Sequence, residues 1–218
     1  MPVFKVTAFL SLILTLLCSL LIVWGRDSAP TATPMFAFST YDNQGIQPDI
    51  HLADLRLKVI YNLTQNELDD FEPLWSPDGT RLAFTSRTNA NHLYVMTLPA
   101  GEIVAMPRFV GFYDPVWSAD GEAILVTKQE YDASAAYASD AQEIVYRLQS
   151  NGDVTRIGQE EPIAAAHLAR SGDTHISPDS RYIVLVNGPG MAVMDTQNNE
   201  VIWQTDLTLP FDRPAWRP

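Results

Sequence analysis

Cysteine is almost missing from this chain: its 218 residues include one, Cys18. No disulfide can form within it, so its fold must be held by a core in whichever compartment it occupies. Histidine is scarce as well. His51, His92, His167 and His175 are the four, and none falls at the H-x₃₋₅-H or C-x₂-C spacing that announces zinc. A G-x-S-x-G nucleophile elbow, a P-loop and an H-E-x-x-H helix are also lacking. Positive charge is in short supply, with 14 Lys and Arg against 26 Asp and Glu and a formal charge of −12. Every acid lies after Arg26 together with 12 of the basic residues, so that part alone carries −14. Nucleic-acid binders are usually basic, which argues against that class of partner. The same charge keeps the region soluble and repels it from anionic lipid.

One long apolar run is present. Residues 6–24 carry no charge and are rich in Leu and Ile, with Lys5 before them and Arg26 and Asp27 after. About 20 apolar residues in a helix span a bilayer, whereas a cleaved signal peptide has a shorter apolar region and a small-residue cleavage site. Residues 24–34 contain no convincing A-x-A site, and Leu16-Leu17-Cys18 lacks the small residue expected before a lipoprotein cysteine. Residues 1–26 are therefore expected to be an uncleaved signal-anchor, with cleavage as the alternative. The flanking Lys5 places the N-terminus in the cytoplasm and the remainder outside, periplasmic or extracellular. Residues 27–34, DSAPTATP, read as an extended tether.

From residue 35 the sequence repeats itself. Residues 72–86 read EPLWSPDGTRLAFTS, residues 114–127 DPVWSADGEAILVT and residues 173–186 DTHISPDSRYIVLV, and residues 213–218, RPAWRP, restart the motif. Each copy reads as strand, tight turn, strand: Pro77 pre-sets φ, Asp78 bonds its own backbone, and Gly79 tolerates positive φ. Trp75, Trp117, Ile176 and Trp216 occupy one repeat position at intervals of 42, 59 and 40 residues. A period near 40–45 residues with several short strands per unit is the signature of propeller blades. Residues 35–218 are thus expected to form an all-β, four-bladed β-propeller with four-stranded blades. Residues 35–40, 49–54 and 58–62 supply the second to fourth strands of the first blade, and residues 213–216 supply its first strand, closing the ring and removing open edges.

At PLWSPDG-TRLAFTS and PVWSADG-EAILVT the chain resembles the TolB-type, WD-like β-propeller repeat, over essentially everything after the tether. The resemblance implies a fold whose first strands line a central channel and whose ligands meet one face. It implies no single function, since the repeat serves scaffolding, ligand capture and access control.

On that face the first strands are expected to begin with Glu72, Asp114, Asp173 and, near the fourth position, Asp212. A ring of such carboxylates could hold a hard channel cation. The plainer reading, favoured here, bonds each acid to backbone amides at its own strand, and Arg213 beside Asp212 would neutralise part of any ring. No other cofactor is called for. His175 could face the channel beside Asp173 but reads first as a structural histidine. Trp75, Trp117 and Trp216 read as blade-packing residues rather than a sugar-binding row. Two irregular segments, residues 129–142 (QEYDASAAYASDAQ) and 158–172 (GQEEPIAAAHLARSG), are expected on the same face. Tyr131, Tyr137, Glu160 and Glu161 give it an acidic-aromatic character suited to a basic or polar partner. The expected function is a membrane-anchored binding or scaffolding module for another envelope protein or a small polar ligand. The alternatives are a propeller hydrolase or lyase using the channel-mouth carboxylates, and a sensor or assembly subunit of a cell-envelope complex.

Overall fold

The computed structural model describes residues 34–41, 47–87, 91–131, 141–158, 176–187, 190–205 and 214–218. All of them belong to one compact unit, which runs from Pro34 to Pro218. The apolar run and most of the tether lie outside the described residues. Among the described residues no helix is long and apolar enough to cross a membrane.

Among the described residues, fifteen strands make four antiparallel sheets. In the first, β1 (Met35–Tyr41), β2 (Pro48–Asp54) and β3 (Val59–Asn62) follow in order, and β15 (Ala215–Trp216) lies on the inner edge. Phe36 pairs with Trp216 and Ala37 with Ala215, so the sheet is assembled from two distant parts of the chain. The second sheet is β4 (Asp69–Trp75), β5 (Arg81–Arg87), β6 (Asn91–Thr97) and β7 (Glu102–Ala105). The third is β8 (Phe112–Trp117), β9 (Ile124–Tyr131), β10 (Ala141–Leu148) and β11 (Val154–Gly158). The fourth is β12 (Tyr182–Asn187), β13 (Gly190–Asp195) and β14 (Glu200–Thr205). There the expected first strand, residues 173–176, is reduced among the described residues to an isolated bridge between Ile176 and Ile183. Four sequential antiparallel sheets of this kind are a propeller-like, all-β fold.

The repeat motif forms the same turn each time. Ser76 Oγ donates to Asp78 Oδ1 at 2.6 Å and accepts from Arg81 N at 2.9 Å, while Asp78 Oδ1 also accepts from Thr80 N. Ser118 with Asp120, and Ser177 with Asp179, repeat the pattern. The fourth turn residue is left-handed in all three, at Gly79 (φ 66°), Gly121 (φ 70°) and Ser180 (φ 58°). Glycine suits the first two for a second reason: a Cβ there would press on the guanidinium of Arg217 or Arg81 at 3.2–3.3 Å.

Side-chain alternation with period two divides each sheet between two neighbours. On β5, Leu82 and Phe84 join Ala37, Ile50 and Leu52 of the first sheet and Trp75 of their own in one cluster. Ala83, between them, points the other way and meets Trp117, Ile124 and Val126 of the third sheet. Phe36 and Phe38 of the first sheet pack with Val184, Met191 and Val193 of the fourth. The repeat tryptophans sit at these joints, with Trp75 and Trp117 buried, and Trp75 Nε1 donates to Ala215 O and Trp117 Nε1 to Leu74 O, both at 3.0 Å. They are packing residues.

Candidate functional site

The topology gives the unit two unlike ends. One holds the S-x-D turns and the short hairpins between third and fourth strands. The other holds the links between second and third strands and the links from sheet to sheet. Glu72, Asp114 and Tyr131 belong to this second, loop-bearing end. Asp173, His175, Asp212, Arg213, Tyr137, Glu160, Glu161 and His167 lie outside the described residues.

Glu72 and Asp114 do not open their strands, as expected from sequence, but sit inside them. β4 begins at Asp69 and β8 at Phe112, and each ladder slips register across the acid, between Phe71 and Leu74 and between Tyr113 and Val116. Both acids take left-handed backbone, φ 56° and φ 50°, immediately before a proline. A residue before proline favours extended backbone, and the left-handed region costs a residue with a Cβ about 1–2 kcal/mol. The same strained bulge at one repeat position in two sheets turns two exposed carboxylates out of the ladder. Glu72 Oε2 accepts from Thr85 Oγ1 at 3.4 Å. Among the described residues no three His, Cys, Asp or Glu side chains come together as a metal site would need.

The two described histidines, His51 and His92, are structural. His51 Nδ1 lies 3.1 Å from Asp49 O and its ring stacks on Phe38, with burial holding its pKa below the ordinary value. His92 Nε2 lies 2.8 Å from Met106 O. Asn62-Leu63-Thr64, an N-x-T sequence, is likewise engaged: Asn62 Nδ2 donates to Asp49 Oδ2, and the buried Thr64 hydroxyl accepts from Ile50 N.

The expected irregular insertion at residues 129–142 needs correction. Residues 129–131 and 141–142 continue the ladder, pairing Gln129 with Glu143, Glu130 with Gln142 and Tyr131 with Ala141. Among the described residues, β8 pairs with β9 only as far as Lys128, and β11 with β10 only as far as Val145. The described part of the third sheet therefore ends in a two-stranded overhang, and alternation gives it two faces. On one, Tyr113 donates to Glu143 Oε1 at 2.8 Å, Gln129 lies alongside, and Tyr131 stands 63% exposed. Burial, and then the bond to Glu143, push the Tyr113 hydroxyl up to about 12. On the other face Tyr146 donates to Glu130, which Arg156 also approaches at 3.4 Å. The Tyr146 hydroxyl and then Arg156 hold the Glu130 carboxyl below its usual range, and Glu130 in turn raises Tyr146. Phe109 packs on Tyr146 at 4.6 Å and carries the Lys128 ammonium over its ring at 5.1 Å. Sequence reasoning found Tyr131 but missed Tyr113, Glu130, Glu143 and Tyr146.

No family model matches the chain. Over 146 residues it is 29% identical to the uncharacterized peptidase YuxL of Bacillus subtilis (strain 168), a match that takes in 56% of this chain and 22% of that protein. The chain thus spans about a fifth of that relative's length. Solved structures similar to it include TolB from Acinetobacter baumannii, at TM-score 0.44 and 17% identity over 77% of this chain and 40% of that one. A TolB described as putative, from Agrobacterium tumefaciens, matches at TM-score 0.44 and 17% identity over 84% and 71%. An oligogalacturonate lyase from Vibrio parahaemolyticus matches at TM-score 0.40 and 13% identity over 74% and 43%. The propeller-like fold stands on the sheets themselves. No activity is carried over from these proteins.

Proposed function

We propose that this chain is a membrane-tethered, extracytoplasmic four-bladed propeller that binds a basic or polar partner protein of the cell envelope through the loop-bearing end of its third sheet. The observation that carries the reading is the overhang: a two-stranded ribbon that places Tyr131 in solvent, on the same face as Glu143, on a region with a formal charge of −14. Tyrosine offers contact area at little entropy cost, and acids steer basic partners in a salt-dependent way. The apolar run at residues 6–24 supplies the tether. Replacing Tyr131 and Tyr137 by Ser in the full-length protein should abolish capture of the partner by crosslinking in membranes. Glu102→Gln and Glu122→Gln, exposed at the opposite end, should leave capture unchanged. Capture lost only in the second pair would place the interface at the wrong end. Retention of the tether is checked by mass spectrometry of the mature N-terminus and by membrane fractionation.

A second reading, hydrolase or lyase chemistry at the channel mouth, is favoured by one observation. Glu72 and Asp114 are held in the same strained conformation in successive sheets. A partner-independent activity lost in Glu72→Gln and Asp114→Asn together would replace the binding reading.

A further inference from the structure

Successive sheets in this unit are fastened by a repeated device. An indole on the first strand of one sheet donates to the first strand of the sheet before it, and a side chain of that earlier sheet lies across the indole. Arg217 lies over Trp75 at 5.5 Å and Arg81 over Trp117 at 5.0 Å. Each guanidinium also reaches the next sheet's turn carbonyl, Arg217 Nε donating to Gly79 O at 2.8 Å and Arg81 Nη2 to Gly121 O at 2.7 Å. Between the fourth and first sheets the device is partial: Tyr182 stands at the repeat position of Arg81 and stacks on Trp216 at 6.3 Å, while Trp216 Nε1 is buried with no hydrogen-bond partner among the described residues.

Among the described residues, the joint from the third sheet to the fourth has none of these parts. Ile176 stands where the indole belongs, Ala123 where Arg81 and Tyr182 stand, and Ser180 where the turn glycine stands. The cores agree with this. Three clusters are each shared by two sheets, whereas Val116, Leu125 and Val145 gather with Ile157 in a cluster that no described residue of the fourth sheet joins.

We infer that the ring parts between its third and fourth sheets, the fourth remaining seated on the first. The inference rests on the four-bladed ring proposed above. Openings of a fold follow its least-fastened contacts, and among the described residues only this joint has neither an indole bond, nor an aromatic stack, nor a shared apolar cluster. Tyr131 lies on the same face of the third sheet as Leu125 and Thr127, so the parting joint runs beneath the exposed side of the overhang. A partner seated on Tyr131 would bear directly on it.

Thiol reactivity under native conditions tests this in the full-length chain with Cys18→Ser. Three buried valines serve as reporters: Val145 (6% exposed) at the parting joint, Val126 (0%) between the second and third sheets, and Val193 (0%) between the fourth and first, and Ile176→Trp controls for the slightly greater exposure of Val145. Val145→Cys should be labelled at least about tenfold faster than the other two, the factor that about 1.4 kcal/mol represents. Adding Ile176→Trp should slow it again. Equal, slow labelling at all three sites overturns the inference while leaving the ring standing. Labelling of Val145→Cys at the rate of a free thiol, unmoved by Ile176→Trp, shows instead that no ring exists. The comparison among the three sites stands even if the tryptophan variant fails to fold.

Discussion

Removing residues 214–218 should cost this unit most of its stability, and the structure says why so few residues matter. Trp216 packs on Phe36 at 5.0 Å and on Tyr182 at 6.3 Å. Truncating a buried tryptophan costs about 3–5 kcal/mol, and half that range suits a half-buried one. Three hydrogen bonds go with it: Arg217 N to Met35 O at 2.9 Å, Arg217 Nε to Gly79 O at 2.8 Å, and Trp75 Nε1 to Ala215 O at 3.0 Å. At about 1 kcal/mol each, these bring the loss to about 5 kcal/mol. Net stabilities are only about 5–15 kcal/mol, so the truncated unit should be marginal. A domain of this size shifts by roughly 2–4 °C per kcal/mol, giving a fall in Tm of about 10–20 °C. Thermal denaturation followed by circular dichroism reads it, and size-exclusion chromatography reports the exposed inner edge of β1 as self-association. Trp216→Ala alone should account for roughly half the drop. A truncated unit melting within about 3 °C of the intact one would refute the claim that residues 214–218 complete the first sheet.

Three further outcomes are expected. Ser180→Gly relieves a left-handed residue at φ 58° and should raise Tm by about 1–4 °C, from a gain of about 0.5–1 kcal/mol, read by differential scanning fluorimetry. The Ser76 hydroxyl and the Thr80 amide hold the Asp78 carboxyl at about 2 against an ordinary 3.8, so its contribution is full above pH 4 and is lost as pH falls from 4 to 2. Asp78→Asn should flatten that part of the acid-unfolding curve. Tyr113 titrates at about 12 rather than 10, so its contribution persists below pH 10 and is lost as pH climbs through 12. Glu143→Gln should bring its ultraviolet titration down toward 10.

Much of this architecture was legible because it is written locally. The S-x-D turns need particular atoms at particular offsets, and Ser76, Asp78 and Gly79 show them in one line of sequence. Trp216 announced its pairing with the first sheet because RPAWRP carries the first-strand half of the motif, the half that the segment from residue 35 lacks. The start of β4 was hidden by Asp69 and Asp70, which are poor strand formers; Asp70 is fully buried there and accepts from Asn66 Nδ2 at 2.6 Å, a partner four residues away that no pattern reveals. The overhang was hidden for a related reason. Gln129 and Glu130 look like loop, and only their pairing across to Glu143 and Gln142 makes them strand. The left-handed backbone at Glu72 and Asp114 contradicts what a residue before proline ordinarily does, so local rules pointed the other way.

The pairing of Phe36 with Trp216 also sets a clock on the ribosome. The inner edge of β1 emerges roughly 180 residues before its partner does, and at about 5–20 residues per second that is an interval of roughly 9–36 seconds. Throughout it, an apolar strand with open hydrogen-bonding groups waits beside other nascent chains. The second and third sheets, each built from one continuous stretch, can fold during that wait. The first cannot, so its completion is the step at which this protein is most exposed to mispairing and most dependent on whatever shields nascent strands in its cell.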